Sequence, residues 1–600
     1  MSLVKFPSLS DIKEGFPVFL MILFYTFVFS FVMVNRFYAL KTYAYDLGNY
    51  NQALYTTLRG YGFLYYTADL PVTNGSMMGV HFSPILLLIL PIYALYPAPA
   101  NLLVLKSFIL ALGAVPVYQL AKYLFKTKNW GVLFSAVYLL NPVLQGINWF
   151  DFHPEAFFPT FFLFSLYYGF KGSWLKYIVF SILTLTATEY SAILIVVESI
   201  YLLWVHKEET KNSLKALKRL ELRNIDARLK YLLITMVLAI VWFFMGMQVI
   251  SIFSPGNPMM GGGATQWSIL GAEGTLSIPL KVLISPQRAL AALIYDWPIK
   301  LVYVTILFGS TAFLSFLSPK SLIITLPWFM VALLSNYYPF YYIGNQYPVF
   351  LLPPIMVGSI IGAKRFLEFA SKKNMRFGSQ KMLAVFLLVT ALIFSFFSSP
   401  LYGLHWGCWP DLTYGLEQVT EHDRIVMQVL SLIPPNASVI TQQNIFPLLS
   451  SRTNSFVIPI GSFYPPGTDF NTTMKEWLQK KVDFILVDLK TSFFETYLIY
   501  GYIKDDFGVY ASRDGIILLK RNYLGNPPIK FVPFEVLLNY NNLTLRNGKI
   551  ITDENSASKK LLQHLSRTGQ EGDFWSGPPI YIPPGEYEAT FRLKINSSSQ

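Results

Sequence analysis

The sequence predicts an α-helical polytopic membrane protein of about eleven transmembrane helices, with a C-terminal extracytoplasmic α/β domain and a short β-rich tail. Three observations predict it. Of 600 residues, 53% are hydrophobic and only 14% charged, against about 25% charged in a soluble protein. The apolar residues fall into many separated runs, as crossings of a roughly 30 Å hydrocarbon core require. The basic residues gather in short loops between those runs, which is the positive-inside pattern. That gathering makes the net charge of +13 an orientation signal and argues against a nucleic-acid partner. A single cysteine, Cys408, excludes an intrachain disulfide framework.

The elements follow in order. Lys5 and Lys13 precede the first span, Phe16–Val34, and put the N-terminus in the cytoplasm. No signal-peptide cleavage pattern stands there, so the run is a retained helix. Residues 35–100 form the first outer loop. Its apolar piece, Phe82–Pro97, is short, and Pro84, Pro91, Pro97 and Pro99 bracket or break it. It therefore reads as a re-entrant or interfacial helix. Were it to cross, the later loop around Asp151 would face the opposite side from Asp46. The remaining spans are Asn101–Ala121, Trp130–Asn148, Pro154–Phe170, Trp174–Thr188, Tyr190–Val205, Tyr231–Phe253, Pro298–Leu317, Leu322–Tyr337, Tyr347–Ala363 and Met382–Ser398. Basic stretches 206–230 and 364–381 are the cytoplasmic loops, and Ser254–Trp297 is a long outer loop with a hinge at Gly261-Gly262-Gly263.

The transmembrane domain thus covers 1–400. Composition changes after Pro400, and 401–525 reads as an α/β domain. Its strands are Val439-Ile440, Val482–Asp488 and Gly515–Leu519, and its helices Asp423–Leu432 and Met474–Lys481. Residues 526–600 form the β-rich tail, with strands at Tyr581–Tyr587 and Ala589–Ile595. The glycosylation sequons at Asn74, Asn436, Asn471, Asn542 and Asn596 all fall outside under this topology. The expected location is the plasma membrane, multi-pass, in contact with membrane lipids.

The chemistry-bearing residues lie in the outer loops. Tyr45-Asp46-Leu47-Gly48-Asn49-Tyr50-Asn51-Gln52 sets a carboxylate among amides at the membrane rim. The alternative is an interfacial aspartate capping a helix over Leu47–Leu58. In Phe150-Asp151-Phe152-His153-Pro154-Glu155 the polar residues alternate, so an extended backbone would set Asp151, His153 and Glu155 on one side, suiting a metal or a polar pocket. The alternative is helix initiation, with Pro154 at the first position and Glu155 in the first turn. Glu189 interrupts the apolar stretch Tyr177–Val205, where an ionisable group is costly and marks function by default; otherwise it marks a turn capped by Thr188. Lys281 and Arg288 on the outer face attract an anion such as a lipid phosphate, or anchor headgroups. His81, Asn345 and Gln346 are further polar candidates.

On Tyr45-Asp46-Leu47-Gly48, Asn51-Gln52, His81-Phe82-Ser83-Pro84, Phe150–Glu155 and Gln346-Tyr347, the chain resembles a family of prokaryotic polytopic membrane proteins known as a domain of unknown function. That family is similar to the GT-C glycosyltransferase superfamily, and the resemblance covers roughly Phe16 to Arg521. It implies a sugar transferred from a polyprenyl-phosphate-linked donor to an acceptor on the extracytoplasmic face, with inversion. It implies Asp46 as general base or acceptor-positioning carboxylate, and Glu189 as a second catalytic carboxylate. Asn51, Gln52, His81, Arg288 and Gln346 would bind substrate. The second-loop acidic position falls on Asp151 or Glu155, and with His153 these would hold a divalent metal, Mg or Mn. Here that loop reads Asp-x-His-x-Glu where metal-using members have Asp-x-Asp, and Glu189 stands in Thr-Glu-Tyr where relatives have a Lys-Glu-Asp-type motif. A polytopic transporter or lipid flippase, which favours midplane charges and internal repeats, and a non-catalytic surface glycan-binding protein are the other classes. The sugar and acceptor are not legible.

Overall fold

The structure is a computed structural model that describes residues 9–68, 75–219, 226–254, 266–373, 375, 379–410, 413–458, 482–491, 507–524, 540–546, 548–556, 559–563, 575–577 and 588–591. The expected hinge at Gly261-Gly262-Gly263, the helix Met474–Lys481 and the strand Tyr581–Tyr587 lie outside the described residues, as does most of Ala589–Ile595. The chain divides into two compact units. The first is 1–420 with 443–457 and 462–467; the second is 421–442, 458–461 and 468–600.

The first unit is helical. Among the described residues, Glu14–Tyr38, Pro99–Phe125, Ala227–Phe253 and Gln380–Ser398 are long and apolar enough to cross a membrane. Two bent pairs add to these: Lys128–Leu140 with Pro142–Trp149, turning 46°, and Thr275–Ile284 with Pro286–Ile294, turning 116°. Trp174–Leu185, Ser191–Val205, Trp297–Gly309 and Ser321–Leu333 are apolar but shorter. A count of about eleven spans treats these shorter helices as crossings. Prolines at Pro142 and Pro286 explain the bends, since each lacks the amide that would continue the preceding turn.

The first helix shows why such a segment folds. Val18, Ile22, Tyr25, Phe29, Val32 and Met33 recur at three- and four-residue spacing and are buried. Phe19, Leu23, Phe24, Phe27 and Phe31 lie on the other side and are exposed. A face of exposed phenylalanine is stable against lipid tails, not against water. Small residues set the closest approaches. A Cβ on Gly362 would stand 1.8 Å from the Leu314 carbonyl oxygen. Only glycine therefore lets Leu352–Lys372 lie this close to the turn Leu314–Leu317.

Three features position the site. The apolar piece after His81 forms a helix over only Ile85–Tyr93. Its nine residues rise about 13 Å, under half of a hydrocarbon core. Asn101 closes the following turn by donating to the Tyr96 carbonyl at 2.9 Å. Residues 443–457 belong to the same unit, held there by side chains of the first loop. The loop 343–350 packs against Pro142–Trp149, where a Cβ on Gly146 would meet the Gly344 amide nitrogen at 2.7 Å.

In the second unit, Val439–Thr441, Phe484–Asp488, Ile516–Arg521 and Phe507–Arg513 neighbour one another in that order. The first two pair in parallel, with Ile440 opposite Ile485. The others pair antiparallel, with Leu486 opposite Leu518 and Arg513 opposite Ile516. Asp514 and Gly515 take positive φ, 52° and 82°, as a two-residue hairpin turn demands. The helix Glu421–Leu430 buries Ile425, Val426 and Val429. The tail contributes two-stranded ribbons, Thr544–Leu545 with Trp575–Ser576 and Lys549–Thr552 with Lys560–Gln563.

Candidate active site

Two loops meet at Asp46. The segment Ala44–Gly48 winds into one wide turn and Asn49–Leu58 continues as a helix. No side chain caps that helix, so Asp46 is not spent on the amides behind it. In the second loop, Pro154 opens a short 3-10 turn with Glu155 inside it, leading into Phe158–Lys171. His153 does not cap this turn and holds an extended backbone, φ −137° and ψ 143°. Extended geometry sends alternate side chains the same way. Asp151 and His153 accordingly both reach the first loop. The Asp151 carboxylate accepts the Tyr43 amide at 2.7 Å, and His153 Nε2 lies 2.8 Å from Asp46 Oδ1. Residues 107 apart in sequence thus share a hydrogen bond.

The other imidazole nitrogen, Nδ1, is 3.7 Å from Glu155 Oε2. Both atoms are buried and neither makes a hydrogen bond. The result is a carboxylate–imidazole–carboxylate row, with Asp46 the most accessible member at 23% side-chain exposure. Tyr50 lays its ring edge-on to His153 at 5.4 Å between centroids. Burial lifts the Tyr50 phenol well above its ordinary range, and the charges of Glu155, Asp46 and Glu189 add to this.

The third element joins through His81. Its Nδ1 is 3.0 Å from Glu189 Oε1, while Glu189 Oε2 accepts the Phe82 amide at 3.0 Å and the Thr188 hydroxyl at 3.1 Å. The Ile85 amide donates to the Thr186 carbonyl at 3.0 Å, so backbone as well as side chains tie these loops. Burial lowers the His81 pKa, but the charge and hydrogen bond of Glu189, with the charge of Glu155 behind them, outweigh it and hold the imidazole up to about 9. The charges of Asp46 and Glu155 also reach Tyr347, whose ring lies 6.2 Å from that of Trp328.

Other sequence candidates take different places. Asn51 and Gln52 are completely buried, with both ends of each amide occupied. Asn51 donates to the Ser450 hydroxyl at 2.8 Å and the Ser451 hydroxyl at 3.1 Å, and accepts from Tyr93 at 2.7 Å. Gln52 donates to the carbonyls of Arg452 and Ser455 at 3.1 Å and accepts from Thr67. These amides hold residues 450–455 in place and have no free end for a substrate. Arg288 is exposed on Pro286–Ile294, and no hydrogen bond or ion pair among the described residues joins it to Asp46, His153 or Glu189. Gln346 is buried beside Tyr347, with its carbonyl oxygen unpaired.

The residues expected to hold a metal, Asp151, His153 and Glu155, are turned to other partners or apart. Among the described residues no three His, Cys, Asp or Glu side chains are arranged to hold a metal ion. The reason is directional. Asp151 is turned onto the Tyr43 amide, and His153 Nε2 is taken by Asp46. Burial, then the charge of Asp46, raises the Asp151 pKa, against the Tyr43 amide and the charges of Arg36 and Lys106. Asp151 is therefore a staple between the loops.

Two residues of this staple were not among the sequence candidates. Lys106 is buried in the span Pro99–Phe125 and donates to the Phe150 carbonyl. Arg36 is buried at the end of the first helix, its guanidinium 4.3 Å from the Trp149 ring centroid. A lone ionisable group in an apolar run is the signal that would have found Lys106.

Comparison with known proteins adds the following. A family model described as "Predicted membrane protein (DUF2079)" matches residues 36–518. No curated protein matches the sequence. Among solved structures, the chain is similar to an oligosaccharyltransferase from Archaeoglobus fulgidus, solved in complex with Zn and sulfate. The identity is 11%, over 84% of this chain and 73% of that one, with a TM-score of 0.39. It is also similar to ArnT from Cupriavidus metallidurans bound to undecaprenyl phosphate, at 11% identity over 84% of this chain and 98% of that one, with a TM-score of 0.45.

Proposed function

The chain belongs to this family of predicted membrane proteins, and from that premise we propose that it is a GT-C-type glycosyltransferase. It moves a sugar from a polyprenyl-phosphate-linked donor to an acceptor at the extracytoplasmic face. The observation that carries the reading is the 2.8 Å contact between His153 Nε2 and Asp46 Oδ1, with Glu155 at the far nitrogen. Glycosyl transfer needs a group that removes the acceptor's proton as its oxygen attacks the anomeric carbon. The Asp46–His153 pair supplies such a group, partly exposed, with a second, buried carboxylate behind the imidazole. The bond from the anomeric carbon to the phosphate oxygen breaks, and the departing lipid phosphate takes the electron pair. Donors or cations near that oxygen stabilise it. The residues present do not fit a metal, so no step runs through one.

The N-terminus is cytoplasmic and the second unit extracytoplasmic in this reading, supported by the basic loops 206–230 and 364–381. The test is transfer of a labelled sugar from a synthetic polyprenyl-phosphate sugar by the purified full chain in lipid. Asp46→Asn is expected to lower the rate by about 10²–10⁴-fold; transfer at the wild-type rate sinks the assignment.

One observation favours a transporter instead. Glu198 is fully buried within Ser191–Val205, bonded to the Ser165 hydroxyl at 2.6 Å with its second oxygen unpaired. Intramembrane acids of this kind occur in proton and ion pathways. Substrate movement across vesicles, without covalent transfer, would select that class.

A further inference from the structure

Glu189 is built to hold something, not to take a proton from a substrate. It is fully buried and all its partners belong to the protein: His81, the Phe82 amide and the Thr188 hydroxyl. A carboxylate whose two oxygens are taken up by such bonds has little left to offer a reactant. What the arrangement achieves is a fixed ring at His81. With Nδ1 on Glu189, the tautomer and orientation are set, and Nε2 is directed away. No hydrogen bond occupies Nε2 among the described residues, and the His81 side chain is 30% exposed while Glu189 is 0% exposed. Among the described residues, the two buried cations that act on neighbouring Asp151 are committed. Lys106 is given to the Phe150 carbonyl, and Arg36 to the carbonyls of Lys41 and Thr413.

We propose that His81 is an anion-binding group and Glu189 its positioning residue, the imidazolium offering its Nε2 proton to a phosphate oxygen of the lipid-linked donor. That the phosphate carries a sugar rests on the glycosyl-transfer reading; the anion subsite itself does not. The charged and titratable groups facing His81 are Glu189 and Glu155, with the Tyr190 ring 6.5 Å away. With its pKa held at about 9, the imidazole is charged at neutral pH and offers a proton on Nε2 without further change.

The experiment uses the full chain in nanodiscs and three probes: farnesyl monophosphate, inorganic phosphate and neutral farnesol. At pH 7.5 the wild type is expected to bind farnesyl monophosphate at least about tenfold tighter than farnesol, and His81→Gln to lose that preference. His81→Lys keeps a cation and is expected to keep the preference, separating charge from folding. In Glu189→Gln the imidazole loses the partner that outweighs its burial and its pKa drops well below about 9, so binding weakens at least about tenfold relative to the wild type at pH 7.5, and less as the pH is lowered to 5.5. Competition by inorganic phosphate assigns the subsite to phosphate oxygens as such; competition only by the lipid phosphate assigns it to the headgroup in place. The proposal is overturned if the wild type binds farnesol equally well, if His81→Gln keeps the preference, if His81→Lys loses it, or if the Glu189→Gln defect is the same at both pH values. Phosphate binding without any sugar transfer sinks the transfer reading alone. Transfer by His81→Gln with unchanged KM sinks this inference alone.

Discussion

Replacing Gln52 with leucine tests how the first loop is held. The side chain keeps its size and loses its amide. Thr67 then has a buried amide proton that had been donated at 2.9 Å, and the Arg452 carbonyl loses a donor at 3.1 Å. The Thr67 hydroxyl retains the Ser455 carbonyl at 2.7 Å, so it is not orphaned. Losing these two hydrogen bonds costs about 1–3 kcal/mol each, so the expected loss is about 2–6 kcal/mol. Against a whole-protein stability of roughly 5–15 kcal/mol, that is enough to free residues 450–457 without unfolding the helices. The assay is amide hydrogen exchange in the full chain in nanodiscs. The smallest expected loss corresponds to about 30-fold faster exchange across the segment and at the Ala44 amide, which bonds the Gln443 carbonyl at 2.8 Å. Unchanged exchange there refutes the reasoning, because it means that the amide network is not what holds the segment.

Further outcomes follow from other parts of the molecule. Lys106→Met takes the donor from the Phe150 carbonyl; melting in nanodiscs should show a loss of about 1–3 kcal/mol. Gly362→Ala drives a methyl group into the Leu314 carbonyl, at 1.8 Å before relaxation, and should cost about 1–3 kcal/mol in the same assay. In the second unit His422 bridges Asp488 at 2.9 Å and Asp514 at 2.8 Å. Burial lowers its pKa, but the hydrogen bonds and charges of both aspartates raise it above the ordinary value overall. A raised folded pKa means that this stabilisation is complete below about pH 6.5 and lost as pH climbs through the raised value. Exchange at the strand Phe484–Asp488 should therefore quicken with alkalinity beyond its intrinsic rise, and His422→Gln should remove that excess.

Much of the helical scaffold was legible because lipid imposes a simple rule on composition. Runs such as Phe16–Val34 and Tyr231–Phe253 read directly as helices, and the proline-bracketed piece after His81 read as too short to cross. Pro154 opening a helical segment followed from its missing amide. The strands near Val439, Phe484 and Ile516 were visible as short apolar runs between turn residues. Apolar composition did not reveal where a run breaks: Leu322–Tyr337 becomes a 3-10 turn, Ser321–Thr325, followed by a helix of only Leu326–Leu333. Partners were least legible. Asn51 and Gln52 are polar at a membrane rim, which suggests a substrate, yet their partners lie about 400 residues away in sequence. Asp151, too, spends its carboxylate on a backbone amide that has no sequence signature.

The most direct measurement is a double-mutant cycle on sugar transfer, with Asp46→Asn, His153→Gln and the pair combined, assayed with a synthetic polyprenyl-phosphate sugar. Residues acting as one unit are strongly non-additive. The account predicts that each single variant loses about 10²–10⁴-fold and that the double variant falls little further. Independent losses that multiply, or a wild-type rate in Asp46→Asn, would contradict it.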